Sequence, residues 1–323
     1  MLTVRPFEER DEAQWETFVA GSWNGTPFHT RNFLNYHGAR FLDRSVVIQD
    51  DERQWQGVFP AAQDTDHPDR VVSHPGSPFG GLIQSGGLTG SSAVDALTRI
   101  AAHYAELGYQ VLRYRTVPLI YHTVPYQDDL YALFRLRARR WRTDLCATID
   151  TRARLPLSRN RRAGLRRAAR ASVTLADGLA YLPDVWRILE RQLAERFGAR
   201  PTHTLQEIEG LAVRLPAALQ CRVAKLDGRV VAGLVLFIFP PVVRAQYSAA
   251  DPVAREVSAL DLLFEDTIAM ATASGCWYVD FGNSNTDDGQ ELNAGLYRYK
   301  RSLGAGSHVH DAYELSVKPS SEP

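Results

Sequence analysis

The sequence has 323 residues, of which 45% are hydrophobic and 23% are charged. This length is natural for two domains, and the composition is that of an ordinary soluble globular protein. The chain carries 37 basic and 37 acidic residues, so its formal net charge is zero. Because no basic start leads into an apolar stretch, we expect no signal peptide and a cytoplasmic protein.

The longest apolar run, Val230 to Val243, is broken by two prolines. It is too short to span a bilayer, so we expect no membrane span and two buried strands instead. The three cysteines are Cys146, Cys221 and Cys276. Because they lie far apart in apolar, strand-like stretches, we expect reduced core residues and neither a disulfide framework nor a bound metal.

Hydrophobic periodicity and turn residues predict six elements in the first half of the chain. They are a helix in Asp11–Ala20, a strand pair at Ser45–Gln49 and Gln54–Pro60, a strand at Arg70–His74, a helix at Ser91–Leu107 and a strand at Tyr109–Arg115. A loop rich in Gly and Pro separates the third strand from the second helix.

The second half repeats this order with two additional helices. The predicted elements are helices at Pro183–Phe197 and Thr204–Leu215, strands at Gln220–Leu226, Val230–Phe239 and Val242–Ala249, a helix at Ser258–Ala273, a strand at Trp277–Phe281 and a helix at Asn293–Leu303. Asp227-Gly228 is a strong hairpin turn signal between the first two of these strands.

Each half therefore gives a helix, a hairpin, a strand, a loop, a helix and a strand. This order, with a loop entering a helix after the central strand, resembles the core of GNAT acyltransferases. We predict an α/β protein of two tandem GNAT-like domains, with mixed, mostly antiparallel sheets flanked by helices. The predicted domains are residues 1–150 and 151–317, followed by a flexible tail at 318–323.

One segment concentrates positive charge. From Arg135 to Arg170 there are thirteen arginines against Asp144 and Asp150, a net charge of roughly +11. Arginine suits bidentate contact with phosphate, so this band predicts a phosphate-rich partner. The alternative is a solvated helix face. For donor binding we select five of these arginines: Arg159, Arg161, Arg162, Arg166 and Arg167.

The densest polar stretch is 280–293, which begins at the end of a predicted buried strand. In α/β sheets, ligand sites collect at such strand ends, although a plain loop of Asx turns is the alternative. Asp280 is our candidate for the base that takes the amine proton. Further polar or aromatic candidates are assigned to acceptor binding: Asn283, Asn285, Asn293, His29, Phe79, His203 and Tyr247.

Helical spacing places Lys300 on the same face as apolar Leu296 and Leu303. Its ammonium must reach water or meet an anion. We predict that it meets a phosphate or an oxyanion that forms at a carbonyl, and we assign Tyr299 to donor binding. Ser258, also a donor-binding candidate, begins the helix where a GNAT fold places its pyrophosphate turn. The usual glycine-rich pattern is absent there, which makes an acyl-coenzyme A donor less expected.

Several motifs together resemble the Fem-like branch of GNAT proteins across nearly the whole chain. They are Gly25–His29, Ser73–Leu82, Arg159–Arg162, Pro201–Ile208, Tyr278–Gly282 and Leu292–Gly304. The resemblance implies two GNAT-like domains with one working cleft, and aminoacyl-tRNA as donor to an amine. It also implies that Lys300 lies near the terminal phosphate and carbonyl of the donor. No long charged heptad stretch corresponds to the helical arm of the cell-wall members.

The leading hypothesis is therefore an N-acyltransferase that forms an amide on a small-molecule amine. Aminoacyl-tRNA is the expected co-substrate, bound by the Arg135–Arg170 band, and no cofactor is expected to stay bound. The first alternative is an acyl-CoA-dependent N-acyltransferase that acts on an amino sugar or a lipid-linked precursor. The second is a non-catalytic RNA-binding protein on a transferase fold. The sequence leaves the transferred group and the acceptor open.

Overall fold

The computed structural model describes residues 1–317, so the predicted tail at 318–323 lies outside the described part. The chain folds into two compact units, Met1–Asp144 with the chain from Val309 onward, and Leu145–His308. The predicted boundary at residue 150 therefore falls six residues beyond the observed one. The structure also differs from the prediction at the C-terminal end, because the last strand leaves the second unit at His308 and continues in the first.

The first unit contains four α-helices and seven complete strands among its described residues. The helices are α1 (Glu12–Ala20), α2 (Arg31–Leu34), α3 (Ser91–Glu106) and α4 (Asp128–Arg135). The strands are β1 (Thr3–Pro6), β2 (Val46–Gln49), β3 (Trp55–Phe59), β4 (Ala62–Gln63), β5 (Arg70–Val72), β6 (Ile83–Gln84) and β7 (Val111–Arg115).

Strand β8 (Arg139–Asp150) passes from the first unit into the second. The helices that follow it are α5 (Arg159–Arg170), α6 (Leu182–Phe197), α7 (Leu205–Arg214), α8 (Pro252–Val257), α9 (Ala259–Ala273) and α10 (Ala294–Ser302). The strands are β9 (Thr174–Asp177), β10 (Leu219–Leu226), β11 (Arg229–Phe239), β12 (Val242–Ala250), β13 (Tyr278–Asn283), β14 (Asn285–Thr286), β15 (Glu291–Leu292) and β16 (Gly306–Ser316).

The core of the first unit lies between its strands and helices α3 and α4. Helix α3 buries residues at intervals of three or four, as an amphipathic helix does: Ala93, Ala96, Leu97, Ile100 and Tyr104. They pack with alternate residues of β7, Leu112 and Tyr114, which are fully buried. Strands β1, β2, β3 and β6 form an antiparallel sheet in that order.

In the second unit, β9 to β12 form consecutive antiparallel pairs, and β12 then pairs in parallel with β13. The parallel connection runs through α8 and α9, as a parallel pair requires. The predicted apolar run becomes β11, which is buried along most of its length, and the buried start of β12. Cys146, Cys221 and Cys276 are free and buried, as predicted.

The predicted internal repeat is confirmed in the strand pairing. In the first unit, β5 pairs antiparallel with β4 and parallel with β7, and β7 pairs antiparallel with β16. In the second unit, β12 pairs antiparallel with β11 and parallel with β13, and β13 pairs antiparallel with β8. Helices α3 and α9 occupy the same place in this order. The α/β fold class with two tandem, mostly antiparallel units is therefore confirmed.

One predicted loop, Asp251–Val257, is a short helix instead. The side chain of Asp251 caps it by accepting a hydrogen bond of 2.9 Å from the backbone N–H of Ala254, and Pro252 stands at its first position. Ser258 then adopts a left-handed backbone with φ of 60°, which ends α8 and lets α9 begin in a new direction.

Candidate active site in the second unit

The site is built where two parallel strands separate. Within residues 1–317, β12 and β13 pair only from Val242 opposite Tyr278 to Arg244 opposite Asp280. Just beyond this point β12 contains a bulge, because Ala245 and Tyr247 face successive residues of β11 and Gln246 is the extra residue. Bulges of this kind re-aim side chains and occur beside active sites. The gap between the strands is therefore a candidate place for a reacting group.

Asp280 lies at this separation point and is fully buried. Its Oδ2 accepts a hydrogen bond of 2.6 Å from Arg244 Nη1 in an ion pair. Its Oδ1 accepts from the backbone N–H of Gly282 at 2.9 Å and from the hydroxyl of Thr148 at 3.2 Å. Both oxygens are therefore engaged with protein groups, and this geometry favours an orienting role over the predicted direct contact with a substrate amine.

Lys300, on α10, reaches the same strand end. Its Nζ donates to the carbonyl oxygens of Gly282 at 3.1 Å and Asn283 at 2.5 Å. Burial lowers the pKa of Lys300 to about 8, while the nearby Asp280 carboxylate acts in the opposite direction. An ammonium has three N–H donors, so the two carbonyls leave one for another acceptor.

His308 completes this cluster, and the sequence analysis did not select it. Its Nδ1 lies 2.9 Å from Oγ1 of Thr148, the same hydroxyl that donates to Asp280. Burial lowers the pKa of His308, and Arg244 acts in the same direction while Asp280 opposes it. The sequence signal that could have found His308 is the alternation of polar residues along β16. It becomes informative once β16 is known to be a strand.

Two of the acceptor-binding candidates meet beside β12: Tyr247 lies on this strand and His203 precedes α7. The hydroxyl of Tyr247 contacts Nδ1 of His203, and the Tyr247 ring packs edge-on against Trp186 of α6 at 5.0 Å between centroids. Burial raises the pKa of Tyr247. The capping box at the start of α7, formed by Thr204 and Glu207, fixes the backbone directly after His203. The structure therefore brings this pair together beside the bulge.

The three asparagines occupy different positions around β13 and α10. Asn283 has an exposed side chain beside the Lys300 contact. Asn285 accepts from the backbone N–H of Leu145 at 2.6 Å and donates to the carbonyl of Gly289. Asn293 caps α10 by accepting from the N–H of Leu296. Asn285 and Asn293 therefore have structural roles here, and Asn283 stays open to a ligand.

His29 and Phe79 belong to the first unit, where both are buried. His29 Nδ1 accepts from the backbone N–H of Thr26, so its Nε2 donates to the carbonyl of Gly80 at 3.2 Å. Burial lowers the pKa of His29 to about 3, so it stays neutral. Phe79 packs on Phe28 and other rings. This environment corrects the assignment of both residues to acceptor binding, because neither presents a free polar group or an accessible face.

Four donor-binding candidates converge at the start of α9, around a buried carboxylate. Asp261 Oδ1 accepts from Arg161 Nη1 at 2.5 Å and from the hydroxyl of Tyr299 at 3.1 Å. Arg167 donates to Oγ of Ser258 at 2.8 Å. Burial and the Asp261 charge raise the pKa of Tyr299. The protein itself thus supplies the negative group at this helix N-terminus.

The outward face of α5 carries a separate set of arginines. They recur at intervals of three or four residues, are exposed, and form no ion pair with any described residue: Arg159, Arg162, Arg166 and Arg170. We call them the α5 stripe. By the rise of an α-helix, the stripe extends over about 16 Å. Cations without a competing carboxylate are available to neutralise phosphates.

Much of the remaining Arg135–Arg170 band is engaged in ion pairs. The pairs are Arg139 with Glu314, Arg140 with Asp311, Arg142 with Asp144, Arg152 with Asp150 and Arg154 with Glu265. The band is therefore not one uniform surface, and the α5 stripe is one part of it that forms no ion pair with a described residue. Among residues 1–317, no cluster of His, Cys, Asp and Glu has a metal-binding arrangement.

Comparison with known proteins matches one domain of the chain to a family. Residues 151–301 match the family model described as an acetyltransferase (GNAT) domain. No curated protein sequence matches the chain significantly. Across the described residues, no helix combines the length and the apolar character needed to cross a membrane.

Solved structures share the fold along the whole chain. The structure of FemX is 13% identical with a TM-score of 0.69, and the alignment covers 97% of each chain. The C-terminal domain of a putative lysylphosphatidylglycerol synthetase from Agrobacterium fabrum is 11% identical with a TM-score of 0.61, covering 96% of this chain and 93% of that one. A tandem GNAT protein from the clavulanic acid biosynthesis pathway is 12% identical with a TM-score of 0.54, covering 99% and 100%.

The family match identifies a GNAT domain in the second unit and supports the predicted acyltransferase. The whole chain shares the tandem fold of FemX and of the tandem GNAT protein.

Proposed function

We propose that the chain is an N-acyltransferase that forms an amide on an amine of a small molecule, with aminoacyl-tRNA as the donor. The observation that carries the choice of donor is the α5 stripe, four exposed arginines without acidic partners. A run of cations along one helix face suits a nucleic acid backbone, whereas a single coenzyme offers few phosphates. The donor also implies a cytoplasmic location.

The start of α9 supports the same choice of donor. In a GNAT fold this helix N-terminus is expected to hold the pyrophosphate of coenzyme A. Here Asp261, which is 5% exposed, stands in the first turn and is paired with Arg161. This carboxylate would repel a pyrophosphate, and the charge of Arg161 is already paired with it. Ser258, Tyr299, Arg161 and Arg167 then support the donor site through their hydrogen bonds with one another and with Asp261, instead of contacting the donor.

The proposed chemistry uses the gap between β12 and β13. The amine attacks the carbonyl carbon of the aminoacyl ester, and negative charge develops on the carbonyl oxygen. The third N–H of Lys300 is available to stabilise that charge, and a fixed donor of this kind needs no reorganisation during the reaction. Holding ester and amine together supplies much of the remaining rate enhancement. Asn283, His203 and Tyr247 are the proposed contacts to the acceptor.

An acyl-CoA donor is the second candidate. Two observations favour it: the matched family is described as an acetyltransferase domain, and the description of the tandem GNAT neighbour refers to AcCoA. Conversely, the putative synthetase is named for a product that contains a lysyl group, which favours amino acid transfer. A non-catalytic RNA-binding protein is the third candidate. Of the observations that support the first candidate, only the α5 stripe also supports this one.

Single-turnover assays separate these functions. The protein is mixed with tRNA carrying radiolabelled amino acids, or with radiolabelled acetyl-CoA, and with a panel of small amines. We expect transfer of label from tRNA to an amine, with the product stable to mild base because it is an amide. Transfer from acetyl-CoA alone would replace the proposed donor. Binding of tRNA without transfer to any amine would favour the non-catalytic function.

A further inference from the structure

We propose that His308 is the general base of this transferase, and that Thr148 and Asp280 are positioning residues that fix its tautomer. The inference rests on the proposed function, because it concerns the amine that attacks the donor. It assigns a role to a residue that no sequence pattern singled out, and it gives buried Asp280 an indirect role in catalysis.

The hydrogen bonds determine which nitrogen of His308 carries the proton. Asp280 is ion-paired with Arg244, so its carboxylate is ionised and only accepts. Thr148 therefore donates its single hydroxyl proton to Asp280 Oδ1, at 3.2 Å. Its oxygen must then accept from His308 Nδ1, at 2.9 Å. Neutral His308 thus carries its proton on Nδ1 and has a lone pair on Nε2.

The free nitrogen is in a position to accept a proton. Within residues 1–317, Nε2 of His308 makes no hydrogen bond. The Thr148 hydroxyl holds the ring by its other nitrogen, so the direction of the lone pair is fixed. A base held through a second group in this way is the usual arrangement in acid–base catalysis.

The charges around His308 favour the neutral imidazole near pH 7. Burial lowers the pKa of His308, Asp280 on β13 partly offsets this, and Arg244 on β12 lowers it further. Lys300 on α10 is a further cation of the same cluster, and Cys146 on β8 is buried near it. A neutral imidazole is the form that removes a proton from an ammonium or from an attacking amine.

The reaction needs one proton transfer to His308 and one transfer from His308 to the leaving oxygen. As the amine nitrogen forms its bond to the carbonyl carbon, it loses a proton to His308 Nε2. The tetrahedral intermediate then expels the ribose oxygen of the donor, and the C–O bond breaks. The imidazolium returns the proton to that oxygen. Amine and ester become amide and alcohol, with no oxidant, reductant or metal required.

Three variants test the assignment through turnover. His308→Gln keeps a donor for Thr148 but has no basic nitrogen, so kcat should fall about a hundredfold or more, with KM for charged tRNA unchanged. The acid limb of the kcat/KM profile, below about pH 6.5, should disappear. Thr148→Val removes the link to Asp280 and should lower kcat severalfold, whereas Thr148→Ser keeps the hydroxyl and should restore it. Wild-type kcat and an unchanged acid limb in His308→Gln would overturn the proposal.

A second measurement does not depend on activity. Nitrogen-15 NMR of the wild-type imidazoles reports the tautomer, and the His308 signal is assigned by its absence from the His308→Gln or His308→Asn spectrum. We expect the Nδ1–H tautomer and a pKa below the ordinary value. The Nε2–H tautomer would overturn the proposal even if no substrate had been found. Absence of turnover in the wild type with every donor would instead count against the proposed function.

Discussion

Lys300 Nζ donates a hydrogen bond of 3.1 Å to the carbonyl oxygen of Gly282, at the end of β13. The side chain therefore stabilises the fold at the strand end, in addition to any role in catalysis. Lys300→Met removes the donor and leaves a buried carbonyl without its partner. We expect the free energy of unfolding to fall by about 1–3 kcal/mol, measured from the midpoint and slope of urea unfolding.

The same variant tests the proposed oxyanion role. Turnover of Lys300→Met should fall about a hundredfold or more, as when one oxyanion donor is lost. Lys300→Arg should recover little activity, because a planar guanidinium does not fit a site shaped for an ammonium. The matched control is Arg298→Met, an exposed cation on the same helix, which should leave kcat and stability unchanged. A normal kcat in Lys300→Met at matched folded fraction would limit Lys300 to a structural role.

The α5 stripe predicts a salt-dependent interaction with tRNA. Replacing all four arginines by alanine should weaken binding of every tRNA alike. Each lost phosphate contact should reduce the slope of log K against log salt by about 0.7–0.9. The measurement is tRNA affinity at several salt concentrations. A quadruple variant with the wild-type slope would show that the stripe is ordinary surface charge.

The control for the stripe removes equal charge elsewhere in the same unit. Four exposed arginines outside α5 serve for this: Arg191, Arg196, Arg200 and Arg214. Their alanine variant should keep the salt slope. Arg161 and Arg167 are excluded from the stripe variant, because they bind Asp261 and Ser258 and their loss would disturb the fold.

Close packing of α5 on α9 predicts a cost for a single methyl group. A Cβ at Gly164 would lie 2.8 Å from Asp261 Oδ2 and 3.0 Å from Ser258 Oγ. Gly164→Ala should therefore lower the free energy of unfolding by about 1–3 kcal/mol, although alanine favours a helix by itself. Gly210→Ala on α7, where a Cβ meets nothing within 4 Å, is the control and should be neutral or stabilising. Equal stability of the two variants would contradict this packing.

Elements with a complete local pattern were predictable from the sequence. The amphipathic α3 and the hairpin of β10 and β11 around Asp227-Gly228 are both found where expected. The pairing of β7 with β16 was not predictable, because the two strands are about two hundred residues apart and β16 is polar. Its Glu314 is part of a charged pair with Arg113, so the strand lacks the apolar alternation by which strands are recognised.

The candidate site also contains both residues that were predictable from the sequence and residues that were not. Lys300 and Asp280 were found because a cation on an apolar helix face and a carboxylate at a strand end are visible in the sequence. His308 was not, because its role depends on Thr148 and Asp280, which two other strands bring to it. Helix α5 was considered only as a solvated helix face and not placed among the predicted elements, since its inward face is built from Gly164 and Ala168 together with arginines that bind across to α9.

Buried Asp129 of the first unit makes stability depend on pH. Its Oδ2 accepts from the Tyr114 hydroxyl at 2.7 Å and its Oδ1 from the N–H of Leu130 at 2.9 Å. Burial nevertheless raises the pKa of Asp129 to about 6, above about 3.9 for an unfolded aspartate. Between these values the folded state binds more protons than the unfolded state. The contribution of protonated Asp129 to the free energy of unfolding is therefore fully present below about pH 4. It is lost as the pH rises through 6.

Asp129→Asn cannot ionise, so it should remove this dependence. Relative to wild type, the variant should gain stability between pH 4 and pH 7, by an amount on the order of 2–3 kcal/mol for a shift of about two units. The measurement is the urea midpoint of both proteins at half-unit intervals of pH. Asp66→Asn, at an exposed carboxyl of the same unit, should follow the wild-type curve. If the difference between Asp129→Asn and wild type stays constant across this range, Asp129 is ionised in the folded protein throughout, and the proton assigned to it is absent.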